Sequence, residues 1–181
     1  LAYGITNITF CDSKGIVHQG RTDLTKEKKE LLEKSTANPE AGTLALAVKA
    51  AHIFIGLSVA GALTQEMVRT MAERPIIYAL ANPTPEIMPE LAKEAGAFIV
   101  ATGRSDYPNQ LNNSLVFPGL FKGALEENVG QFDITLFLSV AQKLAAYVEN
   151  PTVDMILPNM FDKGVVSVVA NAVKQWNLNL K

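Results

Sequence analysis

Four short segments hold side chains whose types and spacing could do chemistry. Asp12 directly follows an apolar, β-branched run. An acidic residue at such a strand end can accept hydrogen bonds from an adenosine ribose, or it can close an Asx turn. The loop Gly56-Leu57-Ser58-Val59-Ala60-Gly61 is bounded by two glycines. These either let the backbone approach a ligand closely or make an ordinary strand-to-helix turn. Asn82 precedes Pro83, which biases it toward extended geometry. Its amide can donate to a carboxylate or a carboxamide and accept through its oxygen, or it can cap a turn. Residues 103–119 are the least ordinary stretch, with Asn109, Gln110, Asn112 and Asn113 between Pro108 and Pro118. Clustered amides suit a neutral polar pocket for a carboxylate or a nicotinamide amide, and the plainer alternative is a long capping loop. Arg104 is either a carboxylate clamp or an ion-pair partner of Asp106.

Other chemistries find little support. Ser58 sits in G-x-S-x-x-G rather than the G-x-S-x-G of a nucleophile elbow. His18 and His52 lack metal-ligand spacing, and no P-loop or zinc pattern occurs. Glu126 and Glu127 read as a solvated helix face. With 16 Lys and Arg against 18 Asp and Glu, the net charge of −2 lacks the basic footprint of a nucleic-acid binder. A content of 48% hydrophobic and 19% charged residues is enough to build a core. The lone Cys11 excludes an internal disulfide and points to a reducing, cytoplasmic setting. No run of about 18 apolar residues is present, so no membrane-spanning helix is expected.

These segments need a scaffold, and the pattern specifies one. Residues 5–10, 52–55, 75–80 and 97–101 read as strands. Their nearly continuous apolarity predicts burial on both faces. Helical segments are expected at 25–34, 43–51, 64–72 (capped by Thr64) and 86–95, then at 117–127, 133–149 and 164–176, with a mixed loop at 151–162. Alternating strands and helices imply an α/β fold, a Rossmann-type doubly wound parallel sheet with helices on both faces. Ligands bind beyond the carboxyl ends of such strands, where all four segments would lie. Residues 1–181 are expected to form a single, partial dinucleotide-binding domain, mainly helical from about residue 120 onward. Leu1-Ala2-Tyr3-Gly4 reads as the last turn of a helix ending at Gly4. A G-x-G-x-x-G fingerprint belongs about 20 residues before Asp12, ahead of Leu1. We therefore expect this chain to be part of a longer protein, with the first strand and the fingerprint outside it.

The colinear run of Cys-Asp-Ser-Lys-Gly at 11–15, Phe-Ile-Gly-Leu-Ser-Val-Ala-Gly-Ala-Leu-Thr at 54–64, Ala-Leu-Ala-Asn-Pro-Thr-Pro-Glu-Ile at 79–87, Ala-Thr-Gly-Arg-Ser-Asp-Tyr-Pro-Asn-Gln-Leu-Asn-Asn at 101–113 and Phe-Pro-Gly at 117–119 resembles the nicotinamide-binding domain of malic enzymes, particularly the short bacterial type. The resemblance covers roughly residues 1–145. It implies oxidative decarboxylation of L-malate to pyruvate and carbon dioxide, with reduction of NAD or NADP. It implies that Asn82 and Asn113 bind malate and also lie against the cofactor, with Asn112 on the cofactor side. It matches Asp12 to the ribose-reading position and Gly56 and Ser58 to the loop beneath the cofactor. The catalytic tyrosine, general-base lysine and acidic ligands for Mn²⁺ or Mg²⁺ are expected in an N-terminal domain upstream, so no catalytic or metal residue is assigned here. Tyr107 and Lys122 are not their equivalents. A homodimer is implied as well. Two other readings stay open: a non-catalytic dinucleotide-binding or regulatory module, and another dehydrogenase on the same fold.

Overall fold

A computed structural model describes residues 1–179. The chain forms two compact units, residues 1–99 and the residues from Val100 onward. The first unit opens with a turn in which the Gly4 N–H donates to the Leu1 carbonyl at 2.9 Å, with Gly4 at φ +95°. Glycine suits the positive φ of this turn. Residues 5–10 are extended but join no ladder. Among the described residues no strand lies beside them. Their backbone is held instead by Thr36, whose N–H donates to Thr6, by the Ser35 hydroxyl donating to Ile8, and by Val17 N–H donating to Phe10. The ladder starts just beyond, in a small antiparallel hairpin of β1 (Cys11–Asp12) and β2 (Gly15–Ile16). Helix α1 (Lys26–Lys34) follows, with the Thr25 hydroxyl accepting from Lys28 N–H at its start, and Val17, Leu24 and Leu32 form a small core beside it.

Helix α2 (Leu44–Val48) leads into β3 (Ile53–Gly56), α3 (Gln65–Arg69), β4 (Ile76–Ala79) and α4 (Pro89–Glu94). The Thr64 hydroxyl caps α3 by accepting from Met67 N–H at 3.3 Å, as its position before the helix predicts. Strands β3 and β4 pair in parallel, Ile53 opposite Ile76 and Gly56 opposite Ala79. The unit boundary falls within β5 (Ile99–Thr102), and the strand order in the sheet is β3-β4-β5. The fold is thus α/β with a Rossmann-like parallel sheet. Burial departs from expectation at β3. Phe54 and Gly56 are buried, whereas Ile53 and Ile55 are 44% and 61% exposed. β3 is an edge strand, and none of the described residues covers that face.

The second unit is helical, as the loss of strand signals after residue 115 predicts. A 3₁₀ turn (Asn113–Leu115) precedes α5 (Phe117–Glu126), α6 (Ile134–Tyr147) and α7 (Lys163–Leu178). Asp133 caps α6 by accepting from Thr135 and Leu136 N–H, and Asp162 caps α7 by accepting from Gly164 N–H. On α7 the residues Val165, Val169, Val173 and Trp176 recur on one face and bury it against Leu120 of α5 and Leu136, Val140 and Leu144 of α6. The Trp176 indole N–H donates to the Thr135 hydroxyl at 2.8 Å, which donates in turn to Asp133 at 2.7 Å. The packing side chain and the cap therefore hold each other. No helix among the described residues is long and apolar enough to cross a membrane.

Helices α5 and α7 approach through Gly119 and Gly123. A Cβ on Gly119 would lie 2.6 Å from Val169 Cβ and 2.7 Å from the Val166 carbonyl oxygen. One contact is backbone and cannot swing aside. Gly119→Ala gains about 1 kcal/mol of helix propensity, but overpacking of this kind costs roughly 1–3 kcal/mol. Thermal melts should show a lower midpoint for Gly119→Ala. Gly130→Ala, with nothing within 4 Å of its Cβ, should melt near wild type.

Candidate functional site

Glu86 organises the loops at the carboxyl ends of β3 and β4. Its side chain is fully buried. One carboxylate oxygen, Oε1, accepts the Ser58 N–H at 2.7 Å and the Ser58 hydroxyl at 3.1 Å. The other, Oε2, accepts the Ala81 N–H at 3.1 Å. A carboxylate taken out of water is costly unless its lone pairs are occupied, and here both oxygens are. The same group explains Gly56. A Cβ there would sit 2.6 and 2.7 Å from the Glu86 oxygens. Glycine at this position leaves room for a protein carboxylate, a role the sequence alone does not reveal. Gly61 serves a different need, a turn at φ +74°.

This arrangement brings Gly56, Ser58 and Asn82 together within the first unit. Ser58 and Asn82 are exposed beyond the strand ends. Asn82 follows the anchored Ala81, its peptide bond to Pro83 is cis, and its amide donates to the Leu80 carbonyl at 3.4 Å. The sequence pattern places Glu86 at the start of a helix over 86–95, but the helix begins at Pro89 and Glu86 lies in the turn before it. The available signal was a lone carboxylate between Pro85 and Ile87, enclosed by turn residues and then Met88-Pro89. A depression of about 350 Å³, lined by residues that include Leu63, Thr64, Thr84 and Ile87, contains none of the predicted site residues.

Asp12 is held separately. Its Oδ1 accepts from Arg21 Nη1 at 2.8 Å and from Lys14 N–H at 2.9 Å, and its Oδ2 accepts from Lys28 Nζ at 2.5 Å. The Lys14 bond is the Asx turn. Arg21 also pairs with Asp23, as does Lys14. The Arg21 and Lys28 hydrogen bonds hold the Asp12 carboxyl well below the usual carboxylate range.

In the second unit the amide cluster divides by role. Asn109 is buried at φ +56°. Its amide nitrogen donates to the carbonyls of Val100 and Val153, and its oxygen accepts from Ile156 N–H at 2.8 Å. It ties the loop to residues 153–156 and has no free polar atom to offer a pocket. Asn112 accepts from Ser114 N–H at 3.0 Å and so caps the 3₁₀ turn, while Asn113, its first residue, is exposed. Arg104 makes the ion pair with Asp106, through Nε at 2.9 Å and Nη2 at 2.6 Å. Lys122 pairs with Glu126 one turn along α5.

Residues 3–176 match the family described as malic enzyme, NAD binding domain. The chain belongs to this family. It is 45% identical over 174 residues to the bifunctional malic/malolactic enzyme of Bacillus subtilis, which covers 94% of this chain and 42% of that enzyme. It is 39% identical to the NADP-dependent malic enzyme of Rhizobium meliloti, covering 96% of this chain and 25% of that protein. The crystal structure of an NAD-dependent malic enzyme from Thermotoga maritima superposes with a TM-score of 0.88 at 43% identity, over 96% of this chain and 46% of that one. The chain thus spans less than half the length of these relatives. Membership of this family accounts for the parallel sheet flanked by helices. Among the described residues there is no group of three or more His, Cys, Asp or Glu that could hold a metal ion.

The Asp12 pairs generate a prediction about stability. A carboxyl whose folded pKa is depressed stabilises the fold above its unfolded value, about 3.9, and loses that contribution as pH falls through the folded value. Asp12→Asn should therefore lower the melting midpoint at neutral pH. The gap from wild type should narrow once pH drops below about 4. A pH-independent gap would show that the pairs with Arg21 and Lys28 contribute nothing through charge.

Proposed function

We propose that this chain is the dinucleotide-binding part of an NAD(P)-dependent malic enzyme that converts L-malate to pyruvate and carbon dioxide. The match of residues 3–176 to the malic-enzyme dinucleotide domain carries the reading. A bound dinucleotide would supply the acceptor for a hydride from the hydroxyl-bearing carbon. The residues of this chain bind and orient. Ser58 and Gly56 form the loop beneath the cofactor, Asn112 contacts it, and Asp12 sits where the adenosine ribose is read. Asn82 and Asn113 hold the diacid and also border the cofactor. Neutral amides donate hydrogen bonds to a carboxylate without neutralising it, which leaves the charge of the diacid available to other groups. Mn²⁺ or Mg²⁺, the proton-transferring residues, a homodimer and a cytoplasmic location belong to this proposal through the family resemblance.

The test follows reduced-cofactor absorbance in the full-length protein given L-malate, Mn²⁺ and either NAD⁺ or NADP⁺. Pyruvate and lactate are assayed in parallel, lactate because the Bacillus subtilis relative is also named a malolactic enzyme. Malate-dependent reduction with stoichiometric pyruvate is expected, and the better cofactor reports what the Asp12 position reads. Reduction without pyruvate would mean a plain dehydrogenase. Cofactor binding without reduction would mean a non-catalytic module. Asn113→Ala should raise the malate KM by about tenfold or more, the cost of about one good hydrogen bond to a charged group, while the melting midpoint stays near wild type. An unchanged malate KM would remove Asn113 from the substrate site.

A further inference from the structure

We infer that Glu86 is a positioning residue that sets the polarity Ser58 presents to the dinucleotide. The inference rests on the proposed dinucleotide site and adds to it a residue and a direction of hydrogen bonding. A carboxylate only accepts. The single hydroxyl hydrogen of Ser58 points to Glu86 Oε1 at 3.1 Å, and its N–H goes to the same oxygen at 2.7 Å. Both Ser58 donors are therefore spent inside the protein. The exposed Ser58 hydroxyl offers only lone pairs outward. The ligand group it can meet is a donor, a sugar hydroxyl or the carboxamide N–H of the dinucleotide, and not a phosphate or carboxylate oxygen. Through Oε2 the same side chain fixes Ala81, next to Asn82, at 3.1 Å. One buried group thus sets the cofactor loop and the substrate-side asparagine in register. Gly56 leaves the space for it to do so.

Glu86→Gln tests this because glutamine keeps the size but replaces one acceptor with an NH₂ donor. Turned one way, the NH₂ faces the Ala81 N–H. Turned the other way, it opposes the Ser58 N–H, and the Ser58 hydroxyl can accept from it only by rotating its own hydrogen outward, which reverses the presented polarity. In either orientation one backbone N–H beside the site loses its acceptor. The experiment titrates NADH and NADPH into the full-length wild type, Glu86→Gln, Ser58→Ala and the double variant by fluorescence, with a thermal melt of each. Wild type should bind at least one dinucleotide. Ser58→Ala should weaken that binding about tenfold, and Glu86→Gln at least as much. The double variant should be no weaker than Glu86→Gln alone, since Ser58 acts through Glu86. A role in folding alone would move the melts and not this coupling. Repeating the titration with the reduced 3-acetylpyridine analogue, which lacks the amide N–H, assigns the donor. A Ser58→Ala loss that persists identifies a sugar hydroxyl, and a loss that vanishes identifies the carboxamide. Wild-type affinity in folded Glu86→Gln overturns the inference while leaving the dinucleotide site intact. If Glu86→Gln does not fold, wild-type affinity in Ser58→Ala overturns it equally. A wild type that binds neither dinucleotide removes the site, and the inference with it.

Discussion

A carboxylate enclosed at the ends of two strands is the constraint around which the first unit is arranged. The effective penalty for bringing such a group out of water is several kcal/mol. It persists only where donors surround it. Glu86 meets this condition with two backbone N–H groups and one hydroxyl, drawn from the loops after β3 and β4. The consequences spread outward. Glycine at position 56 leaves room for the carboxylate, Ser58 turns inward with both donors, and Ala81 holds its N–H toward the same group. Two loops that could each adopt many conformations are reduced to one joint arrangement. Fixed loops of this kind suit a binding site, because the loops then lose less freedom when a ligand binds.

The second unit reaches a similar result by packing. Glycines on α5 let α7 approach until backbone and Val169 fill the space a methyl group would take. Asn109, buried and at positive φ, bonds three backbone groups and fastens the loop before the 3₁₀ turn. Asn112 then caps the turn that exposes Asn113. Of three asparagines within five residues, the buried one is structural, and of the two exposed ones Asn112 caps the turn that Asn113 opens. The division follows burial. A buried amide must satisfy all its polar atoms internally, and only an exposed one keeps any for a ligand.

Charge is distributed in a way that bears on cofactor choice. Asp12 occupies a ribose-reading position in the proposed function, yet both its oxygens already accept from cations. A sugar hydroxyl arriving there meets a carboxylate shared with Arg21 and Lys28 and close to Lys14. The electrostatic character of the position is thus set by a cluster and not by one acid. The family includes enzymes named for either dinucleotide.

Much of this was legible in the sequence, because periodicity and capping act locally. The α/β order, the Thr64 cap and the helical second half follow from neighbouring residues alone. The motifs around Asn82 and Asn113 were sufficient to identify the family. What sequence could not decide depends on groups far apart in the chain. Residues 5–10 have strand composition but join no ladder, since a strand needs a partner and composition does not supply one. Apolarity at Ile53 and Ile55 predicts cover, yet exposure depends on which elements lie alongside. Gly56 and Gly61 look equivalent in the sequence, but one makes room for a carboxylate 30 residues later and the other makes a turn. Glu86 looks like any acid at a helix start. Only the tertiary structure surrounds it with Ser58 and Ala81, because a buried charge is defined by the donors that fold around it.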